Sequence, residues 1–209
     1  MRRCPKLPMM SGPREARALP RPVDVEAALL EAIELLRSLG ADCALIGGVA
    51  LGFHGVERFT KDVDLAVAAS TSGRVASRTE RDPRPLNIGG VSIATASGVR
   101  VDFIDRRLVY AALYEEAIAA ARTRGPLAIV RDRQVPVVLP SHLIAMKLAA
   151  DRPQDEIDVE KLLAQPAIDY AETRAIVERH LGPFAAQRLD KVARKVGRAD
   201  APRDYAQGS

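Results

Sequence analysis

Apolar residues first recur at helical spacing. In VEAALLEAIELLRSL, Leu29, Ile33 and Leu36 fall at i, i+4 and i+7, which predicts a helix with Asp24 as N-cap and Gly40 as its stop. The run CALIG at 43–47 reads as a buried strand, followed by Gly48 and a brief helix through His54. In DVDLAVA (62–68) the period changes to two, with Asp62, Asp64 and Ala66 on one face and Val63, Leu65 and Val67 on the other. Residues 69–87 are polar, with Gly73 and two prolines, and predict a long loop. Strands over 88–96 and 99–105 follow, joined by Ser97-Gly98 in a hairpin pattern. A helix over 109–122 precedes a β-rich pair, LAIVRD and QVPVVLP. Helices are then predicted over 141–150, 154–164, 170–181 and 183–196, with Ser141 as an N-cap and Pro140–Ser141 as the best boundary. The order predicts an α/β front, a mixed sheet flanked by helices, followed by an α-helical region. No internal repeat or heptad run is visible.

Composition narrows the class. The chain has 209 residues, 47% hydrophobic and 28% charged, enough for a domain with a substantial core and too apolar for a wholly disordered chain. Two cysteines, Cys4 and Cys43, exclude a disulfide framework and fit a reduced, cytoplasmic setting. The net charge of +4 invites a nucleic-acid reading, but residues 1–23 hold six Arg/Lys and one Glu, so that segment alone carries more than the total. Another six basic and three acidic residues lie in 186–209, which leaves the intervening segment mildly acidic. Residues 1–22, with five prolines and no apolar h-region, are expected to be a disordered basic leader rather than a secretory signal. The expected organisation is therefore this leader, a catalytic core over 23–140, a helical region over 141–197 that completes the site, and a disordered tail over 198–209. No stretch approaches the roughly 18 apolar residues of a membrane span.

Four pieces carry candidate chemistry. Gly47-Gly48 closes a strand and opens a helix, where backbone N–H groups suit phosphate oxygens. Asp62 and Asp64 project from one strand face, where like charges raise each other's pKa unless a cation neutralises them. A hard divalent ion, Mg²⁺ most naturally, is the simplest partner. Asp102, between Val101 and Phe103, completes a three-carboxylate cluster if its strand lies beside 62–68; such a cluster can hold two metal ions about 4 Å apart for in-line phosphoryl transfer. Asp105 falls on the opposite face. Lys147 and Arg152 could neutralise phosphate charge beside such a site, or serve only to compensate a helix dipole. His54, His142 and His180 have no partner at metal-ligand spacing and are expected to be structural or surface residues.

The stretch GGVALGFHGVERFTKDVDLAV resembles the signature of the nucleotidyltransferase superfamily that includes DNA polymerase beta. Gly55, Arg58, Thr60, Asp62 and Asp64, with Lys147 and Arg152 later and Asp155 and Asp158 beyond, are most similar to the AbiEii-type abortive-infection and minimal nucleotidyltransferase branch. Where that branch often has a lysine before the downstream acid, this chain has Gln154. The resemblance implies a nucleotidyltransferase fold and transfer of a nucleoside monophosphate from an NTP, such as ATP, to a hydroxyl, with release of pyrophosphate. It implies two Mg²⁺ ions (Mn²⁺ as a substitute) on Asp62, Asp64 and Asp102, the last also helping to deprotonate the acceptor. Gly47, Gly48, Lys147 and Arg152 would contact the triphosphate. Arg58 and Thr60 would support the loop or touch phosphate, and Asp158 would orient the acceptor or act as a base. RNA or tRNA, a protein or a small molecule all fit as acceptor, and a cognate antitoxin as partner. The alternative is a catalytically silent binding or regulatory protein on the same fold.

Overall fold

The computed structural model describes residues 22–202. The leader expected over 1–22, apart from Pro22, and residues 203–209 of the expected tail lie outside them. Helix α1 (Pro22–Ser38) precedes β1 (Cys43–Ile46), α2 (Gly47–Phe53) and β2 (Asp62–Val67). Then come α3 (Thr71–Arg78), β3 (Arg84–Pro85), β4 (Val91–Ala94), β5 (Arg100–Ile104) and α4 (Ala111–Arg124). The hairpin β6 (Leu127–Val130) and β7 (Arg133–Pro136) leads to α5 (Pro140–Ala150), α6 (Pro153–Leu163), α7 (Tyr170–Leu181) and α8 (Pro183–Lys195).

Five strands form one mixed sheet in the order β1-β2-β5-β4-β3. β2 runs antiparallel to β1 and parallel to β5, and β4 runs antiparallel to both β5 and β3. Central placement explains why Val63, Leu65 and Ala66 are all buried although the strand alternates with two aspartates. The hairpin β6–β7 joins the edge of this sheet where the Val138 N–H donates to the Leu45 carbonyl, 3.0 Å. Helices α1 and α3 pack against β2, β5 and β4; α4 touches β1 and β2; α5 packs on α4, α6 and α7. The α/β class and the helical back half are as the periodicity predicts.

Several boundaries differ from the expectation. α1 begins at Pro22, so Asp24 lies within its first turn rather than capping it; an acid there still complements the helix dipole. Ser141 lies inside α5, which Pro140 opens. The expected 69–87 loop contains α3 and β3. Its inner face is marked by one large apolar side chain, Val75, and by Ser72, whose hydroxyl donates to the buried Asp105 Oδ2 at 2.5 Å. That bond also places Asp105 on the α3 side of the sheet, as alternation requires. The strand expected over 88–96 is shortened because Leu86–Gly90 forms a turn, with Gly89 and Gly90 at φ +98° and +112°. Residues 198–202 are placed as well. Arg198 donates to the carbonyls of Leu163 (3.1 Å) and Ile168 (2.9 Å), fastening the start of the expected tail to the α6–α7 turn.

Candidate active site

A cleft of about 360 Å³ opens over the sheet, lined by Gly47, Gly48, Arg58, Thr60, Asp62, Asp64, Asp102, Lys147, Arg152 and Asp155 among others. The parallel register of β2 and β5 sets Asp64 directly beside Asp102, with Asp62 two residues back on the same face. Burial first, then Asp62 and Asp102, push the Asp64 carboxyl up to about 7, against the opposing pull of Lys147 and Arg152. Burial also raises Asp102, although a hydrogen bond from Ser92 works the other way. Ser92 stands opposite Asp102 in β4 and donates to its Oδ1, while Arg100 Nε donates to the Ser92 hydroxyl at 2.8 Å. Ser92 therefore aims Asp102. Only the hairpin register could have revealed it. The Thr60 hydroxyl lies 2.9 Å from Asp62 Oδ1 and similarly orients that acid.

The glycine pair makes room for these acids. Gly47 has φ +66°, and a Cβ there would lie 1.9 Å from Asp64 Oδ2. A Cβ on Gly48 would lie 2.9 Å from Thr60. At Gly47 α2 approaches the acidic strand, and at Gly48 the loop before it, more closely than a side chain allows. At the other end of α2, His54 Nε2 donates to the Val138 carbonyl at 2.8 Å, pinning the helix to the segment before α5.

Among the described residues no group of three or more His, Cys, Asp or Glu side chains forms a ready-made metal cluster. The donor chemistry nevertheless fits a hard divalent ion: carboxylate oxygens of Asp62, Asp64 and Asp102 face one cleft, and Asp64 carries an electrostatic cost that a cation there relieves.

The opposite wall is a network of ion pairs. Lys147 Nζ, buried, donates to Asp155 Oδ1 at 2.8 Å and to Asp158 Oδ2 at 2.7 Å. Arg152 grips Asp155 with Nε and a terminal nitrogen, 2.6 and 3.2 Å. Arg58 pairs with Asp158, and Gln154 Nε2 donates to its Oδ1 at 3.2 Å. Burial opposes the Asp155 charge, but Arg152 and Lys147 outweigh it and hold the carboxyl below its usual range. Asp158 is engaged by two cations and an amide, an arrangement that positions Lys147 and Arg58. Gln154 donates where a lysine was expected. A smaller recess of about 130 Å³ lies beyond this wall, shared by Lys147, Arg152, Arg188 and Lys191.

Tyr114 and Arg106 also line the cleft, and neither stands out in the sequence. The histidines have structural roles, as expected. Glu116 accepts from His180 Nε2 at 2.7 Å, from Arg179 at 2.7 Å and from His142 Nε2 at 3.3 Å, tying α4, α5 and α7 together. Cys43 is a buried thiol pushed up to about 12, first by burial. No helix among the described residues is long and apolar enough to cross a membrane.

No protein-family profile matches the sequence, and no curated protein does. Among solved structures, the chain is similar to an antigenic nucleotidyltransferase-like protein from Paracoccidioides brasiliensis, at 14% identity and a TM-score of 0.48, over 83% of this chain and 93% of that one. It is also similar to the solution structure of the antibiotic-resistance factor ANT(2'')-Ia, at 16% identity and a TM-score of 0.44, over 81% of this chain and 91% of that one. A crystal structure of ANT(2'')-Ia in complex with adenylyl-2''-tobramycin gives 14% identity and a TM-score of 0.43, over 82% and 95% of the two chains. What the cleft can do chemically follows from its own residues.

Proposed function

We propose that the protein is a metal-dependent nucleotidyltransferase that moves a nucleoside monophosphate from an NTP to a hydroxyl acceptor and releases pyrophosphate. The carrying observation is the β2–β5 register that sets Asp64 beside Asp102, with Asp62 on the same face of a cleft walled by Lys147 and Arg152. Asp62, Asp64 and Asp102 would hold Mg²⁺, or Mn²⁺ in its place. Bound there, two such ions would supply Lewis-acid stabilisation of the attacking and leaving oxygens.

The chain's own residues do the rest. Gly47 and Gly48, at the start of α2, would present backbone N–H groups to triphosphate oxygens. The acceptor oxygen forms a bond to the α-phosphorus as the bond to the pyrophosphate oxygen breaks. Asp102, raised by burial and aimed by Ser92, takes the acceptor's proton. Lys147 and Arg152, fixed by Asp155 and Asp158, offset charge on the departing pyrophosphate. Thr60 orients Asp62, and Arg58 braces the loop before β2 against α6. The fold and acids do not select the acceptor, so RNA, a protein hydroxyl and a small molecule are separate arms of the test, as is a cognate antitoxin.

The test is incubation of the full chain with labelled NTPs, Mg²⁺ and each acceptor class, following label and pyrophosphate. Asp62→Asn and Asp64→Asn are expected to lower transfer by about 100-fold or more, the scale of losing one transition-state electrostatic group. Full activity in both variants removes the assignment.

A further inference from the structure

Four cations line the cleft: Arg58, Arg106, Lys147 and Arg152. Three are committed to carboxylates, Arg58 to Asp158, Lys147 to Asp155 and Asp158, and Arg152 to Asp155. Arg106 differs. Among the described residues it makes no ion pair, and neutral groups alone hold it. One terminal nitrogen donates to the Ile88 carbonyl at 2.6 Å. The guanidinium carbon lies 5.3 Å from the Tyr110 ring centre and 5.8 Å from that of Tyr114, within cation–π range of both. Its Nε is buried with no acceptor among the described residues. A guanidinium resting with an orphaned N–H and no counter-charge is not at its best pairing, and a bidentate oxyanion at its open terminal nitrogens supplies the missing charge.

Its position gives the charge a use. Arg106 lies just beyond β5, in alternation with Asp102 and Ile104, both of which also line the cleft. Gly47 and Gly48 follow β1 at one edge of the sheet, whereas Ile88 lies in the turn between β3 and β4, beyond β5. The cleft thus has a glycine end and an Arg106 end, with the acids between them.

We infer that Arg106 is the oxyanion receptor of this cleft, binding a phosphate group of a substrate while the Tyr110 and Tyr114 rings and the Ile88 carbonyl hold its guanidinium in place. The inference rests on the proposed reaction for the identity of the cleft as a substrate site, and it adds a residue and a ligand chemistry to that site. The phosphate has two sources, the nucleotide itself or a phosphorylated acceptor, and the binding arms separate them.

The experiment is calorimetric titration of the full chain, wild type, Arg106→Gln and Arg106→Lys, with Mg-ATP and separately with inorganic phosphate. Arg106→Gln is expected to weaken at least one ligand by tenfold or more (an order-of-magnitude figure for one bidentate, charge-assisted contact), with Arg106→Lys intermediate. Loss of Mg-ATP affinity assigns the receptor to the nucleotide. Loss of phosphate binding with Mg-ATP intact assigns it to the acceptor. The wild-type advantage should shrink as salt rises, which a packing role does not predict. If Arg106→Gln does not fold, Arg106→Lys carries the test, because it keeps the charge and loses only the fork. Unchanged affinity for both ligands, or equal losses in the two variants with no salt dependence, overturns the inference. Neither titration requires turnover. A chain that binds through Arg106 but transfers nothing therefore sinks the proposed reaction and leaves the receptor standing, and the reverse result does the opposite.

Discussion

Asp64 shows what the site costs the fold. Its carboxyl is held at about 7 by burial first and by its acidic neighbours second, well above the ordinary 3.8. Because the folded value is the higher one, folding favours the protonated form. The penalty is therefore absent below the unfolded pKa, grows as pH rises from about 4, and is complete above about 7. Asn keeps the shape and removes the charge. In divalent-free buffer, Asp64→Asn is expected to raise the melting temperature by roughly 3 °C or more at pH 8, about the effect of 1 kcal/mol in a chain of this size, and to change it little at pH 4. Thermal melts at the two pH values check the sign. Added Mg²⁺ should stabilise the wild type and not the variant, since a ligand that binds the folded state raises its apparent stability. A variant less stable than wild type at pH 8 would show that Asp64 is held by favourable contacts and carries no such cost.

Within α2, two glycines have opposite reasons to be there. Gly47 sits at φ +66° with Asp64 in the space a Cβ would take, whereas Gly52 has nothing within 4 Å. Gly47→Ala should therefore destabilise by about 1–3 kcal/mol and displace Asp64, abolishing any activity of the cleft. Gly52→Ala should stabilise by about 0.5–1 kcal/mol, as a glycine replaced within an open helix does. Urea unfolding of the two variants side by side decides between a site-specific and a general role for glycine here. The same helix illustrates what the sequence makes legible. Gly47-Gly48 and the alternation of β2 are local patterns, and so Asp62 and Asp64 could be found by reading along the chain. That Asp64 meets Asp102 depends on β2 lying parallel to β5, which the sequence allows only as a condition. α3 escaped because Val75 is the one large apolar residue on its inner face and Ser72 turns inward to Asp105, so no helical stripe exists to read. Lys147 and Arg152 were identifiable as cations, but their commitment to Asp155 and Asp158 comes from α5 and α6 meeting at Asp151, which adopts φ +52°. Ser92, Arg106 and the Glu116–His142–His180 cluster gain their meaning from partners far away in sequence or across a hairpin, where periodicity carries no information.

At the scale of the molecule, the helices beyond the Pro140–Ser141 junction pack into the sheet half. Every residue of α5 from Ser141 to Leu148 is buried, and the helix packs on α4 in front and on α6 and α7 behind. Leu143 and Met146 also line the cleft that the sheet opens into. The charge network runs the same way, from Arg58 before β2 through Asp158 and Lys147 to Asp155. Removing α5 would withdraw burial from Leu143, Ile144, Met146 and Leu148, about 6–12 kcal/mol at the usual 1.5–3 per side chain, comparable with the whole stability of an ordinary domain. It would also take His142 from Glu116. A chain ending at residue 139 is therefore expected to lack a cooperative thermal transition and to show the poorly dispersed amide spectrum of an unfolded or molten state. The full chain should melt in one step by circular dichroism and calorimetry alike. A dispersed spectrum and a sharp melt from the truncated chain would show instead that the sheet half folds alone, and that the helices were added to complete its cleft rather than to hold it together.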